Sequence, residues 1–245
     1  MYRQLPTITN GESTMRLLNV VHMNTIRLHR RVIAYRKYIL VWLTATACCS
    51  ALGEVPSMNP PPHWFISGER AVAARKEYAG STDHAVVYEG SGSGLLESLS
   101  DTAQHGTLMQ VSSASAYRGK RIRFSAFLRG DAIAMRAGLW IRADDIDGTT
   151  VAFRNCYAAS TPKSFVQGTT DWKEVEILID IPDTAVDLSF GVLLGGTGKV
   201  WIDNASIAVI GPYDAARADQ VERVPHNSID PQKLSTIPQN MDFEQ

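Results

Sequence analysis

Cysteine is scarce: three in 245 residues, at positions 48, 49 and 156, with no C-x-x-C pair among them. That spacing excludes a zinc ribbon or finger and leaves Cys156 as a lone thiol, expected to be packed in the interior. An excess of one charge is also lacking, since 24 Lys and Arg stand against 25 Asp and Glu for a formal net charge of −1. A chain so balanced does not present the cationic surface of a nucleic-acid binder, and no nucleic-acid partner is expected. Catalytic signatures are missing as well. His63, His84 and His105 stand outside any G-x-S-x-G context. Gly90-Ser-Gly-Ser-Gly94 lacks the Lys-Ser/Thr of a phosphate loop and reads as a flexible turn. Asp144, Asp145 and Asp147 precede Gly148 without the glutamate of a calcium loop, so they read as a hairpin turn. The expectation is a chain that is not an enzyme.

The first 55 residues differ from the rest. Arg27, Arg30, Arg31, Arg36 and Lys37 form a basic cluster without an acid, followed by Tyr38-Ile-Leu-Val-Trp-Leu-Thr-Ala-Thr-Ala47 and then small residues. Basic lead, short apolar run and small-residue exit are the parts of an export signal. The run is short for a spanning helix, which needs about 20 apolar residues. Residues 1–55 are therefore read as a signal peptide or membrane-anchor helix, with membrane contact through residues 38–52 if it stays uncleaved. The protein is expected to be exported, periplasmic or extracellular, or held at the inner membrane. Cys48 invites a lipoprotein reading, although Ala45 stands where such sites prefer leucine. Residues 56–61, rich in proline, are a linker.

From residue 62 to 210 the period changes to two. Ile122, Phe124, Ala126 and Leu128 take one face, opposite Arg121, Arg123, Ser125, Phe127 and Arg129. Met135, Ala137, Leu139 and Ile141 oppose Arg136, Trp140 and Arg142; Val175, Ile177, Ile179 and Ile181 oppose Glu174, Glu176 and Asp180. Leu188, Phe190, Val192 and Leu194 complete the set. Turn signals at 117–119, 144–148, 168–171, 182–183 and 195–198 separate them, and weaker strands are placed at 64–67, 85–88, 95–98, 107–111, 151–155 and 199–210. About ten short strands with one apolar face each predict an all-β, two-sheet antiparallel sandwich. Residues 211–245 read as an irregular polar tail, with a short helix near 214–223.

The outward registers supply the candidate ligand-binding residues. Trp140 lies beside Arg142 and Phe127 beside Arg123, where a sandwich ordinarily sends only polar groups. The C–H face of a pyranose stacks on such rings, and Gln110, Arg142, Tyr157 and Glu176 are placed to bond its hydroxyls. The alternative is that a loop covers Trp140 and makes it a second small core. Trp172 and Trp201 each follow a turn and are assigned to packing.

The segments His105-Gly-Thr-Leu-Met-Gln110, Ala116-Tyr-Arg-Gly-Lys-Arg121, Ala137-Gly-Leu-Trp140, Gly168-Thr-Thr-Asp-Trp172 and Gly191-Val-Leu-Leu-Gly-Gly-Thr-Gly-Lys-Val-Trp201 resemble bacterial domains of the galactose-binding-like superfamily. These look like the jelly-roll carbohydrate-binding modules, copies of which are also attached to bacterial regulators. The resemblance implies a jelly-roll topology and a non-catalytic binding role, with a carbohydrate or a partner protein as ligand. It implies no cofactor beyond a structural calcium at Asp203. Residues 153–165 depart from the family's more acidic loop. Asn240-Met-Asp-Phe-Glu244 resembles the opening strand motif of such a module, as if a second copy began there; the alternative is an unstructured terminus.

Overall fold

The computed structural model describes residues 59–67, 77–157, 164–218, 221 and 230–245. The export segment, the membrane contact at 38–52 and half of the linker lie outside them. Among the described residues nine strands run in order: β1 (Phe65–Ser67), β2 (Tyr78–Asp83), β3 (Ser93–Ser98), β4 (His105–Ser113), β5 (Lys120–Asp144), β6 (Thr150–Asn155), β7 (Phe165–Ile181), β8 (Asp187–Gly195) and β9 (Lys199–Pro212). All their pairings are antiparallel.

The two segments read as separate strands at 121–129 and 135–143 are one 25-residue strand, β5. Its first half pairs with β9 from Lys120 to Asp131, and its second half pairs with β8 from Arg136 to Asp144. β7 runs along the opposite edge of the first half and past the bend, and β6 takes the far end. One ladder therefore reads β2-β3-β9-β5-β7 and the other β1-β4-β8-β5-β6, joined through β5 into a continuous hydrogen-bonded network. The ladders face each other across one core: Phe124 of the first meets Phe190 of the second edge-on, at 5.5 Å between ring centroids.

The bend is a matched pair of irregularities. Pairing of β5 with β7 shifts between Leu128 and Gly130, again before Ile133, and again before Ala137. Ala132 and Gly168 both take positive φ, 50° and 67°. Gly168 was expected to mark a turn; it is a bulge inside β7, opposite Ile133. A bulge adds a residue, bends the strand and resets which side chains face inward. Ile133 is therefore buried, whereas Met135, expected in the core, is 47% exposed. Beyond the bend the expected register returns, with Ala137, Leu139 and Ile141 all fully buried.

Two weaker expectations change. Residues 85–88 are loop rather than strand, because Asp83 Oδ1 accepts from the backbone N–H of Ala85 and Val86 and turns the chain; β2 precedes it instead. Of the short helix expected near 214–223, residues 214–218 form a turn closed on the Asp214 carbonyl, and residues 219, 220, 222 and 223 lie outside the described residues.

The largest departure is in the tail. Residues 235–245 are irregular in backbone, as expected, but they are no appendage: Phe243 is 1% exposed in the core of the sandwich. The Trp64 ring packs on Phe243 at 5.0 Å and its Nε1 donates to the Asn240 carbonyl at 2.9 Å.

Candidate functional site

The seven expected ligand-binding residues do not form one surface. Arg123, Phe127 and Glu176 lie on the outer face of the first ladder. Trp140 and Arg142 belong to the second ladder, and Gln110 and Tyr157 sit at its margins.

Trp140 is 9% exposed, and its Nε1 donates to Thr107 Oγ1 at 2.6 Å. It pairs with Gly191 of β8, whose own partner on β4 is Met109, also buried. The indole is packed and polar-satisfied rather than offered as a platform. Arg142 is tied to Asp144 at 2.8 Å, where Thr150 Oγ1 also donates. Gln110 was expected outward. It points inward at the sandwich edge, donating from Nε2 to the Gln239 carbonyl at 2.8 Å and accepting the Gln239 N–H at 2.7 Å. Tyr157 is half exposed, but its ring packs against Arg136 at 4.8 Å and His105 at 6.1 Å. Its neighbour Cys156 is buried, and burial pushes that thiol up to about 11, far from reactive thiolate character.

On the first ladder the aromatic register does reach the surface. Tyr88, 41% exposed, stacks on Phe127 with centroids 3.7 Å apart and planes 12° from parallel. Trp172 meets Tyr88 edge-on at 5.8 Å. Along the same face Arg123 bonds Glu176 at 2.6 Å through Nε and Glu174 through its terminal nitrogen. On the other side Trp201 donates to Asp83 Oδ2 at 2.8 Å, and the Arg129 guanidinium lies 6.0 Å from its ring. Burial pushes the Asp83 carboxyl up, but the bonds from Trp201, Ala85 and Val86 outweigh it and hold the group below its ordinary value.

The loop bearing Tyr88 is fixed from beneath. Asp203 Oδ2 accepts the backbone N–H of Tyr88 at 2.9 Å and of Glu89 at 3.2 Å, while Oδ1 accepts that of Asn204. Asp203 was expected as a calcium ligand. In this structure its oxygens accept those three N–H groups, and the residue serves as the loop's anchor. No group of three or more His, Cys, Asp or Glu that could hold a metal occurs among the described residues.

Tyr88 and Trp172 were missed as site residues. For Trp172 the signal was present: residues 172, 174 and 176 share one side of a strand, and Glu174 and Glu176 mark that side as solvent-facing. Tyr88 sits in a loop, where periodicity says nothing.

The fold and this surface define an antiparallel β-sandwich carrying an aromatic platform flanked by ion pairs. No family model matches the sequence. A curated relative, the uncharacterized HTH-type transcriptional regulator YbfP of Bacillus subtilis (strain 168), is 30% identical over 185 residues, covering 74% of this chain. The match takes in 56% of the relative, so the chain spans just over half of its length. Among solved structures, the sandwich is similar to carbohydrate-binding module domains. The CBM22-1 xylan-binding domain from Paenibacillus barcinonensis Xyn10C is 12% identical with a TM-score of 0.44, over 63% of this chain and 90% of that one. A xylan-binding domain of family 22 is 19% identical with a TM-score of 0.43, over 62% and 90%. TmCBM61, solved with β-1,4-galactotriose, is 15% identical with a TM-score of 0.40, over 62% and 91%. None of these values carries a ligand or a binding residue across to this chain.

Proposed function

We propose that the sandwich is a non-catalytic binding module for carbohydrate, working outside the cytoplasm behind an export or anchoring segment at residues 1–55. The observation that supports the ligand class is the exposed Tyr88 stacked on Phe127, with the half-buried Trp172 edge-on to it, beside Arg123, Glu174 and Glu176. A flat ring backed by a second ring is rigid, so it loses little entropy on binding and contributes through contact area. Carboxylates and guanidinium at its rim are the groups that bond sugar hydroxyls. Binding by the intact chain would be read on a glycan array and then by calorimetry. Tyr88→Ala and Trp172→Ala should each weaken the best ligand roughly tenfold or more while the melting temperature stays nearly unchanged. An array on which the folded wild-type chain binds no glycan would sink the sugar reading.

A second reading has one observation behind it. The relative from Bacillus subtilis is described as a transcriptional regulator, which supports a ligand-sensing or protein-interaction role for the same face. In that case Trp172→Ala would abolish capture of a partner protein, with no glycan competing for the surface. The export reading rests on the sequence of residues 1–55. Fused to a reporter that works only outside the cytoplasm, that segment should give activity; a reporter held silent inside would remove the localisation.

A further inference from the structure

The segment at residues 239–245 sits in the sandwich as a ligand sits in a slot, and the slot is shaped for it. Phe243 is the anchor, packed on Trp64 and buried in the core. Polar groups then clamp the segment at both ends. Gln110 makes its reciprocal pair with Gln239, Asn240 Nδ2 donates to the Pro62 carbonyl at 3.1 Å, and the Ala205 N–H donates to the Met241 carbonyl at 2.8 Å. Glu244 accepts from Ser91 Oγ at 2.6 Å and from the Ser91 and Gly92 backbone N–H at 2.8 and 3.3 Å. These bonds hold its carboxyl below the ordinary value, the Ser91 hydroxyl most of all.

Gly90-Ser-Gly-Ser-Gly94, read from sequence as a flexible turn, is the floor of this slot. A Cβ at Gly94 would fall 2.5 Å from Phe243 Cε1, one at Gly92 2.7 Å from the Phe243 carbonyl, and one at Gly90 2.1 Å from Glu244 Oε1. Three alternate glycines thus leave the space that one short peptide fills.

We propose that this slot is a peptide-docking site that accepts residues 239–245 from a second copy of the chain as well as from its own. The occupant is identified by complementarity: a partner must present Gln-Asn-x-x-Phe-Glu, and a second copy does. The contacts available in trans are the same as those in cis, so exchange costs little beyond linker entropy and depends on concentration. Reach does not forbid it. The 27 residues 213–239 separate the end of β9 from Asn240, and such a stretch spans up to ~90 Å. Because the slot loop also carries Tyr88, exchange would place two aromatic platforms in one assembly. The proposal does not depend on what that platform binds.

The test is disulfide trapping in the intact chain with Cys48 and Cys49 replaced by serine and the buried Cys156 retained. Ser91→Cys on one chain and Glu244→Cys on another are mixed, incubated and mildly oxidised. The expected result is a covalent dimer of one chain of each kind, its yield falling at least tenfold when the Glu244→Cys chain also carries Phe243→Ala. The double variant S91C/E244C on one chain reports docking in cis as an internal cross-link. An internal cross-link without any mixed dimer means that the segment serves only its own chain and overturns the proposal. Absence of both cross-links overturns the slot itself.

Discussion

Asp187 is 3% exposed, and its Oδ1 meets no hydrogen-bond donor. Burial, with the Asp144 charge added and Arg142 opposing, pushes its carboxyl up to about 6. Its folded value therefore lies above the unfolded 3.8, and between these values the native state binds more protons than the unfolded one. Stability must then fall as pH rises from about 4 to 6, and the deficit persists above that window, on the order of 2–3 kcal/mol. Asp187→Asn removes the charge and keeps the shape. Thermal melts should show it stabilising by about 1–3 kcal/mol at pH 7.5 and by much less at pH 4; equal gains at both would mean that the carboxyl is not strained by its charge. Trp140 gives the opposite kind of test. Since its indole is enclosed and its Nε1 bonded to Thr107, Trp140→Ala should cost about 3–5 kcal/mol in denaturant unfolding. A cost under half a kcal/mol would return it to the surface.

At the scale of the element, the kink in β5 is a conformation that alanine adopts at a cost. Ala132 has φ of 50° and is exposed, so its methyl packs on nothing that would repay the strain. Ala132→Gly should raise stability by about 0.5–1 kcal/mol with no change in m-value, and a loss instead would show that the bend is not the source of strain. The kink also explains what the chain's pattern could and could not convey. Alternation at 121–128, 175–181 and 188–194 correctly announced inward faces, because period two is a local property of a pleated strand. It could not announce that two such runs are one strand, since the bulges at Gly130 and Gly168 look like turns to any local reading. Nor could it place residues 239–245, whose core position rests on Trp64 and Gly94, some 150 residues or more away in sequence. The platform was half legible: Phe127, Arg123 and Glu176 follow from strand phase, whereas Tyr88 depends on a loop that Asp203 holds from the far strand.

For the molecule as a whole, continuity of the hydrogen-bonded network decides how it comes apart. A sandwich of two independent sheets meets only through side chains, but here β5 belongs to both ladders and carries Phe124 and Leu128 into one half and Leu139 and Ile141 into the other. Those residues share a single core with Phe190, Ile177, Ile202 and the inserted Phe243. Melting one ladder would strip β5 of its partners on that side and expose apolar surface of the other, at roughly 25 cal/mol for each Å² uncovered. Unfolding should therefore be one cooperative transition. Two local probes separate this from stepwise loss: fluorescence of Trp201 in the first ladder and of Trp140 in the second, each followed in a chain with the other tryptophans replaced by phenylalanine where folding permits. Coincident urea midpoints with equal m-values are expected within each chain when fluorescence is compared with far-UV circular dichroism. Phe243→Ala should lower the unfolding free energy read by each probe by about 3–5 kcal/mol, because the ring it removes sits between the ladders. Within either chain, a fluorescence midpoint that separates from the circular dichroism midpoint would mean that β5 does not bind the two halves into one folding unit.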